Sequence, residues 1–345
     1  MSKYFVTGAS GMLGTTLYDL FTKNGHEVIS TDLNPLDPWT RQLDVRDITS
    51  VQNMIEESKP DWVLNLAALT DVEYCESNPQ EAYNTNATGA INVAKVCAKH
   101  SLRMVHISTA GVFDGTRPTP YTEEDIPRPV NYYGKSKYEA EQGIAQILNK
   151  YYIFRAGWMM GSGDRDKKFV RKVLKQFDEG RTLYGVIDMF GCPTYVLDFA
   201  TGILKMTTDS KEFGMYNMVS EGECSRYDVL CKIIEVLGLD NVDTVPVKGN
   251  VKTFGSYNFY APRPSYEVIV NKKLHDRDLF FMPQWHDAIT RYLKSNYYDK
   301  YSSARRRDIY EKRTQIVVKE NEPLVSIVTT AYKNEKFNEK YFESI

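Results

Sequence analysis

A chain of 345 residues exceeds what one hydrophobic core ordinarily fills, which predicts two domains or one α/β domain carrying a lobe. Hydrophobic residues make up 42% and charged residues 26%, as in ordinary globular proteins, and the formal net charge of −2 gives no global attraction to nucleic acid or an anionic membrane. No apolar run approaches the roughly eighteen residues of a membrane span, and the N-terminus runs into "KYFVTGASG" without a signal-peptide pattern, so no membrane partner and a cytoplasmic location are expected.

The first strand, "KYFVTG", leads into "TGASGMLG" and then a helical pattern with Leu13, Leu17, Leu20 and Phe21 on one face. A phosphate-binding turn needs this order. Gly8 permits the tight turn, Gly11 lets the backbone approach a pyrophosphate, and Gly14 allows close helix packing. The first helical turn, with Met12 and Leu13, then presents N–H groups to the anion. Gly25 is placed to end the helix. The second strand, "EVISTD", ends at Asp32, whose carboxylate can accept from an adenosine ribose and would repel a 2′-phosphate. That favours NAD(H) over NADP(H), although Arg41 is close enough in sequence to reverse the preference. Asp44, before Val45, is placed to meet the adenine edge or to be a plain surface aspartate.

Three more apolar runs follow, "WVLNLAA", "RMVHIST" and "YYIFRAG", separated by helical patterns. Such alternation builds a parallel sheet covered on both faces. The expected fold is therefore α/β, a Rossmann-type doubly wound parallel sheet over residues 1–160, with a smaller C-terminal substrate lobe over 161–297 interleaved with it. The run "HISTAGVFDG" carries two hydroxyls, Ser108 and Thr109, to a strand tip that continues with the nearly bare Ala110 and Gly111. In "YGKSK", Tyr133 and Lys137 lie four apart and share a helix face. A phenol is a poor acid–base group near neutrality, and an adjacent ammonium is expected to lower its pKa and to hold a nicotinamide ribose. The five cysteines, Cys75, Cys97, Cys192, Cys224 and Cys231, are odd in number and form no C-x-x-C pair, as expected of reduced packing residues. Five scattered histidines show no ligand spacing, so no metal is expected.

Taken together, "TGASGMLG", "LNLAALTDV", "HISTAGVF" and "NYYGKSK" resemble the extended short-chain dehydrogenase/reductases. The lobe motifs "FRAGWMMG", "DMFGCPT" and "APRPSYEVIVNKKL" are similar to those of the dTDP-4-dehydrorhamnose reductase family, over roughly residues 3–295. The resemblance implies NAD(P)H-dependent reduction of a 4-keto-6-deoxy nucleotide sugar by a triad of Thr109, Tyr133 and Lys137. It also implies that Ala67 and Ala68 line the cofactor and that Trp158 contacts nicotinamide or sugar. Phe190, Pro193 and Thr194 would sit near the substrate, and Arg263 would face its nucleotide or pyrophosphate.

Two departures stand out. Sugar-nucleotide 4,6-dehydratases follow the catalytic threonine with two carboxylates, and the reductases usually place an aspartate and an aromatic there. Ala110 and Gly111 carry no proton, which argues against dehydration and leaves the identity of the sugar open. Some members dimerise through acidic residues on a divalent metal; Thr16 and Leu197 stand near those places, so the metal site is not carried over and a homodimer is only a candidate. Residues 298–322 read as a charged linker, and 323–345 resemble the start of a family 2 glycosyltransferase, which suggests fusion to a transferase domain. Two other functions stay open: a nucleotide-sugar 4-epimerase, against which "GCPTYVLDFA" counts, and a non-catalytic dinucleotide-binding subunit such as the beta subunit of methionine adenosyltransferase.

Overall fold

Adjacent residues of the first strand point into opposite layers, and this organises the fold. In β1 (Lys3–Thr7), Phe5 joins an apolar cluster with residues of three helices, α2 (Ile48–Ser58), α5 (Ala90–Lys99) and α6 (Tyr132–Ile147). Tyr4 instead packs its ring edge-on against Phe21 of α1 (Met12–Lys23) at 4.6 Å and meets Thr207 of α8 (Val196–Asp209) at 3.1 Å. Period-two alternation of two apolar side chains thus requires helices on both faces.

The computed structural model describes residues 1–302 except 210–211, 241, 250–252, 255–256, 259 and 281. The central sheet is seven-stranded and parallel in order β3-β2-β1-β4-β5-β6-β11. Its remaining strands are β2 (Glu27–Asp32), β3 (Thr40–Gln42), β4 (Trp62–Asn65), β5 (Arg103–Thr109), β6 (Tyr151–Ala156) and β11 (Gly214–Asn217). Strand order reverses between β1 and β4, and such a switch point opens a crevice at the strands' carboxyl ends. The helical pattern "PQEAYNTNATGAINVAKVCAKH" is broken into α4 (Pro79–Tyr83), a wider π turn at Asn84–Gly89, and α5, and a short helix α3 (Val72–Ser77) precedes it. Within that turn Asn86 points inward and bonds both the N–H and C=O of Leu69 as well as the hydroxyl of Ser136.

Beyond residue 160 the chain both returns to the sheet, through α8 and β11, and builds short pairs over its carboxyl edge. β7 (Trp158–Met160) pairs with β10 (Pro193–Tyr195), β8 (Leu183–Val186) with β13 (Thr244–Val247), and β9 (Phe190–Gly191) with β12 (Cys224–Ser225). Helices α7 (Phe169–Asp178), α9 (Arg226–Leu237), α10 (Lys272–Asp276) and α11 (Trp285–Asn296) complete this part. Contacts divide the chain into Met1–Asp299 and Lys300–Ile345, and the first unit carries every element named here. The expected glycosyltransferase-like stretch lies outside the described residues. No helix among the described residues is long and apolar enough to cross a membrane.

Candidate active site

The glycine loop is built by crowding. Gly8 has φ +69°, and a Cβ there would lie 2.6 Å from the backbone N of Ala67. A Cβ on Gly14 would lie 2.4 Å from the carbonyl O of Ala9. The loop is therefore clamped between α1 and the end of β4, with Ala67 and Ala68 just beyond that strand. Gly11 is exposed at the N-terminus of α1, with Met12 and the buried Leu13 behind it. No side chain caps this helix and its first turn holds no acidic residue, so its N–H groups suit an anion.

Asp32 ends β2 and binds back to the loop: Oδ2 accepts from Ser10 N–H at 3.0 Å and Oδ1 from Asn34 N–H at 2.9 Å. Arg41 does not reach it, because its guanidinium forms two hydrogen bonds with Glu57 at 2.8 and 3.1 Å. A cation the sequence did not single out binds the glycine loop itself. Arg165 donates to the Ser10 carbonyl at 2.8 Å and to Asp37 at 2.6 Å. Asp44 is held by Arg46 through both carboxylate oxygens, which lowers its pKa. Val45 is buried against Gly89.

Tip and helix meet where β5 ends. Thr109 Oγ1 accepts from the Gly111 N–H at 3.0 Å, and the Thr109 side chain lies close enough to the Tyr133 phenol to act on its pKa. Helix α6 is set by its cap: Asn131 accepts from Gly134 N–H and donates to the Pro262 carbonyl, both at 2.8 Å. Beneath it, Glu141 and Arg155 form a fully enclosed bidentate pair at 2.7 and 2.8 Å that ties α6 to β6. Of the two expected hydroxyls only Thr109 joins Tyr133; Ser108 Oγ is buried without a hydrogen-bond partner among the described residues.

The electrostatics differ from expectation. Burial pushes the Tyr133 phenol up to about 12, and Lys137 does not pull it down. Lys137 is itself lowered to about 8 by burial, and its Nζ lies 3.2 Å from His106 Nε2. His106 Nδ1 lies 3.1 Å from the Asn65 amide nitrogen, while Asn65 Oδ1 accepts from Thr7 at 2.6 Å. That polarity puts the proton of a neutral imidazole on Nε2, facing Lys137, and favours an uncharged amine. Burial keeps His106 neutral by lowering its pKa well below the usual range. "HIST" displayed this histidine, but nothing local tied it to a lysine thirty-one residues on.

Across the cleft, Trp158 donates from Nε1 to Glu267 Oε1 at 3.2 Å, and the Arg226 guanidinium lies 3.5 Å over its ring. Phe190 is half-buried and bonds the backbone on both sides of Tyr266. Pro193 and Thr194 are buried in β10, and the Thr194 hydroxyl is bound to the Cys192 carbonyl. Arg263 pairs with Glu73 at 2.6 Å. The structure thus gathers Thr109, Tyr133 and Lys137 at one end of β5, encloses Pro193 and Thr194, and ties Asp44 and Arg263 to neighbouring charges. Glu267 and Arg226 are the cleft residues that periodicity did not reveal.

The family described as RmlD substrate binding domain matches residues 2–298. The expected glycosyltransferase likeness of the tail is not borne out. The spore coat polysaccharide biosynthesis protein SpsK of Bacillus subtilis is 32% identical, covering 85% of this chain and 98% of its own. A dTDP-4-dehydrorhamnose reductase of Mycolicibacterium smegmatis is 31% identical over 82% of this chain and 83% of its own. Among solved structures, a dTDP-4-dehydrorhamnose reductase from Bacillus anthracis in complex with NADP is similar with a TM-score of 0.77 and 30% identity, covering 86% of this chain and 99% of that one.

Proposed function

The chain belongs to the RmlD substrate binding domain family, and on that premise we propose that it is an NAD(P)H-dependent reductase of a 4-keto-6-deoxy nucleotide sugar, acting in polysaccharide biosynthesis in the cytoplasm. The observation that carries the reading is the approach of the Tyr133 phenol to the Thr109 side chain at the end of β5, with Lys137 one turn further along α6. When bound, the reduced nicotinamide supplies a hydride to the sugar carbonyl carbon.

Gly8, Gly11, Met12, Leu13 and Gly14 would hold the cofactor's pyrophosphate at the uncapped helix end. Thr109 and Tyr133 would donate hydrogen bonds to the carbonyl oxygen and stabilise the charge that grows there. Tyr133 then gives its proton to the alkoxide. A phenol kept protonated by burial suits that acid role. The phenolate left behind needs a cation, and Lys137 in its ammonium form is the group within one helical turn. To hold that form, His106 must carry its proton on Nδ1 and the Asn65 amide must turn over. Lys137 and His106 are therefore a coupled pair whose protonation changes with the reaction.

Asp32 supports a preference for NADH, since its carboxylate would face a 2′-phosphate and Arg41 is engaged elsewhere. Arg165 is the nearby cation that limits this preference, although Asp37 already neutralises it. Incubation with NADH or NADPH and a dTDP-linked 4-keto-6-deoxyhexose should consume reduced cofactor in step with product. Tyr133→Phe should abolish turnover by at least ~10²-fold, the usual size of an acid–base contribution, and leave cofactor binding intact. Sugar inversion without net cofactor oxidation would transfer the protein to the epimerases.

A further inference from the structure

The tip of β5 is bare in sequence but does not lack a carboxyl group in space. The point that a Cβ on Gly111 would occupy lies 3.4 Å from Thr109 Oγ1 and 3.9 Å from Glu267 Oε2. Glu267 arrives from the segment "APRPSYEV", pinned by its own N–H to the Phe190 carbonyl at 2.8 Å. Its Oε1 takes the Trp158 N–H, while Oε2 takes no hydrogen bond from any described residue. The Glu267 residue is half-buried rather than sealed from solvent. One carboxylate oxygen is thus aimed by an indole, and the other is left for something that enters beside Thr109.

We propose that Glu267 is a specificity-determining residue whose Oε2 accepts a hydrogen bond from a hydroxyl on the sugar carbon next to the carbonyl. The substrate class is then a neutral 4-keto sugar with a free 3-hydroxyl. This rests on the reductase reading, because Thr109 and Tyr133 place the carbonyl. A hydroxyl is preferred to an ammonium on charge. Glu267 shares its surroundings with Arg226 and Arg263, both of which act to keep it ionised; Arg263 is paired with Glu73, so Arg226 is the cation that already balances this carboxylate. Burial opposes them and raises its pKa, and an accepted hydrogen bond from substrate would satisfy the carboxylate without adding charge. The absence of side chains at Gly111 leaves the space this contact requires; an aspartate there would bring a second carboxylate toward the first.

The test compares the dTDP-linked 4-keto-6-deoxyhexose with its 3-deoxy and 3-amino analogues. A site built around a substrate hydroxyl rejects the analogue lacking it by on the order of 10⁴ in kcat/KM. Glu267→Ala should collapse that ratio to below about tenfold by losing rate only on the hydroxylated sugar, and Glu267→Gln, whose single amide oxygen can accept at only one of the two positions now served by Oε1 and Oε2, should restore at most part of it. Equal losses on both sugars would mean that Glu267 merely supports Trp158, and the proposal would fall. A 3-amino sugar preferred to the 3-hydroxy sugar would overturn it on charge. Should the wild-type protein oxidise no cofactor with any of them, the reductase reading fails by itself. Calorimetric binding of dTDP-rhamnose and its 3-deoxy analogue to wild-type protein then decides the present point, with at least about tenfold weaker binding of the deoxy sugar expected and equal binding refuting it.

Discussion

Replacing Gly134 by alanine tests the joint on which the proposed chemistry turns. The residue follows Tyr133 in α6, and a Cβ at this position would lie 2.2 Å from the Gly111 carbonyl oxygen and 2.9 Å from Pro129 Cβ. The first of these is backbone at the tip that carries Thr109, so it cannot swing aside as a side chain end would. Real Cβ contacts essentially never fall below 3.0 Å, and relief requires helix and tip to part. The required parting is close to the ~1 Å misplacement that can cost on the order of 10²-fold in rate, or about 2.7 kcal/mol in barrier height. Overpacking of this kind costs about 1–3 kcal/mol of stability, partly offset by the ~1 kcal/mol by which alanine exceeds glycine in helix propensity. Gly143→Ala in the same helix is the control, because its Cβ would meet Ile91 Cδ1 and Cγ1, a side chain that can turn away. Steady-state cofactor oxidation, thermal melts and cofactor titration on both variants give the answer. Gly134→Ala should lose turnover with cofactor affinity little changed, while Gly143→Ala stays near wild type. Wild-type kcat/KM in Gly134→Ala would refute the tip-to-helix contact as the determinant of catalytic geometry.

Three further outcomes are expected. Lys137 is lowered to about 8, so it loses its charge as pH rises through that value, and kcat/KM for reduction should fall about tenfold per pH unit above it; a flat profile to pH 10 contradicts an ammonium role. His106→Leu leaves Lys137 and the Asn65 amide without their shared partner, at about 1–3 kcal/mol for each buried group, and should lower the melting temperature; an unchanged melt would show that water replaces the imidazole. Glu141→Ala strands the Arg155 guanidinium, which is 2% exposed, and should cost about 3–5 kcal/mol in denaturant unfolding; a loss below 1 kcal/mol would show that water replaces the carboxylate.

Sequence periodicity by itself determined the sheet and its order of appearance. Alternating apolar runs and 3.6-residue faces are local properties, and Leu17, Phe21 and Ile144 are buried where their spacing demands. The glycine loop was equally legible, because a tight turn and close packing each exclude a side chain at the place where they occur, as Gly8 and Gly14 show. Tyr133 and Lys137 needed only one helix to share a face. Tertiary structure alone decided what surrounds them. His106 reaches Lys137 from another element, Arg41 turns to Glu57 rather than Asp32, and Glu267 comes to the bare tip beside Gly111. Periods of two and 3.6 residues say which face a side chain takes, but not which distant segment lies opposite. The pKa directions follow the same rule, since the raised phenol of Tyr133 and the lowered amine of Lys137 come from burial that exists only once the cleft is assembled.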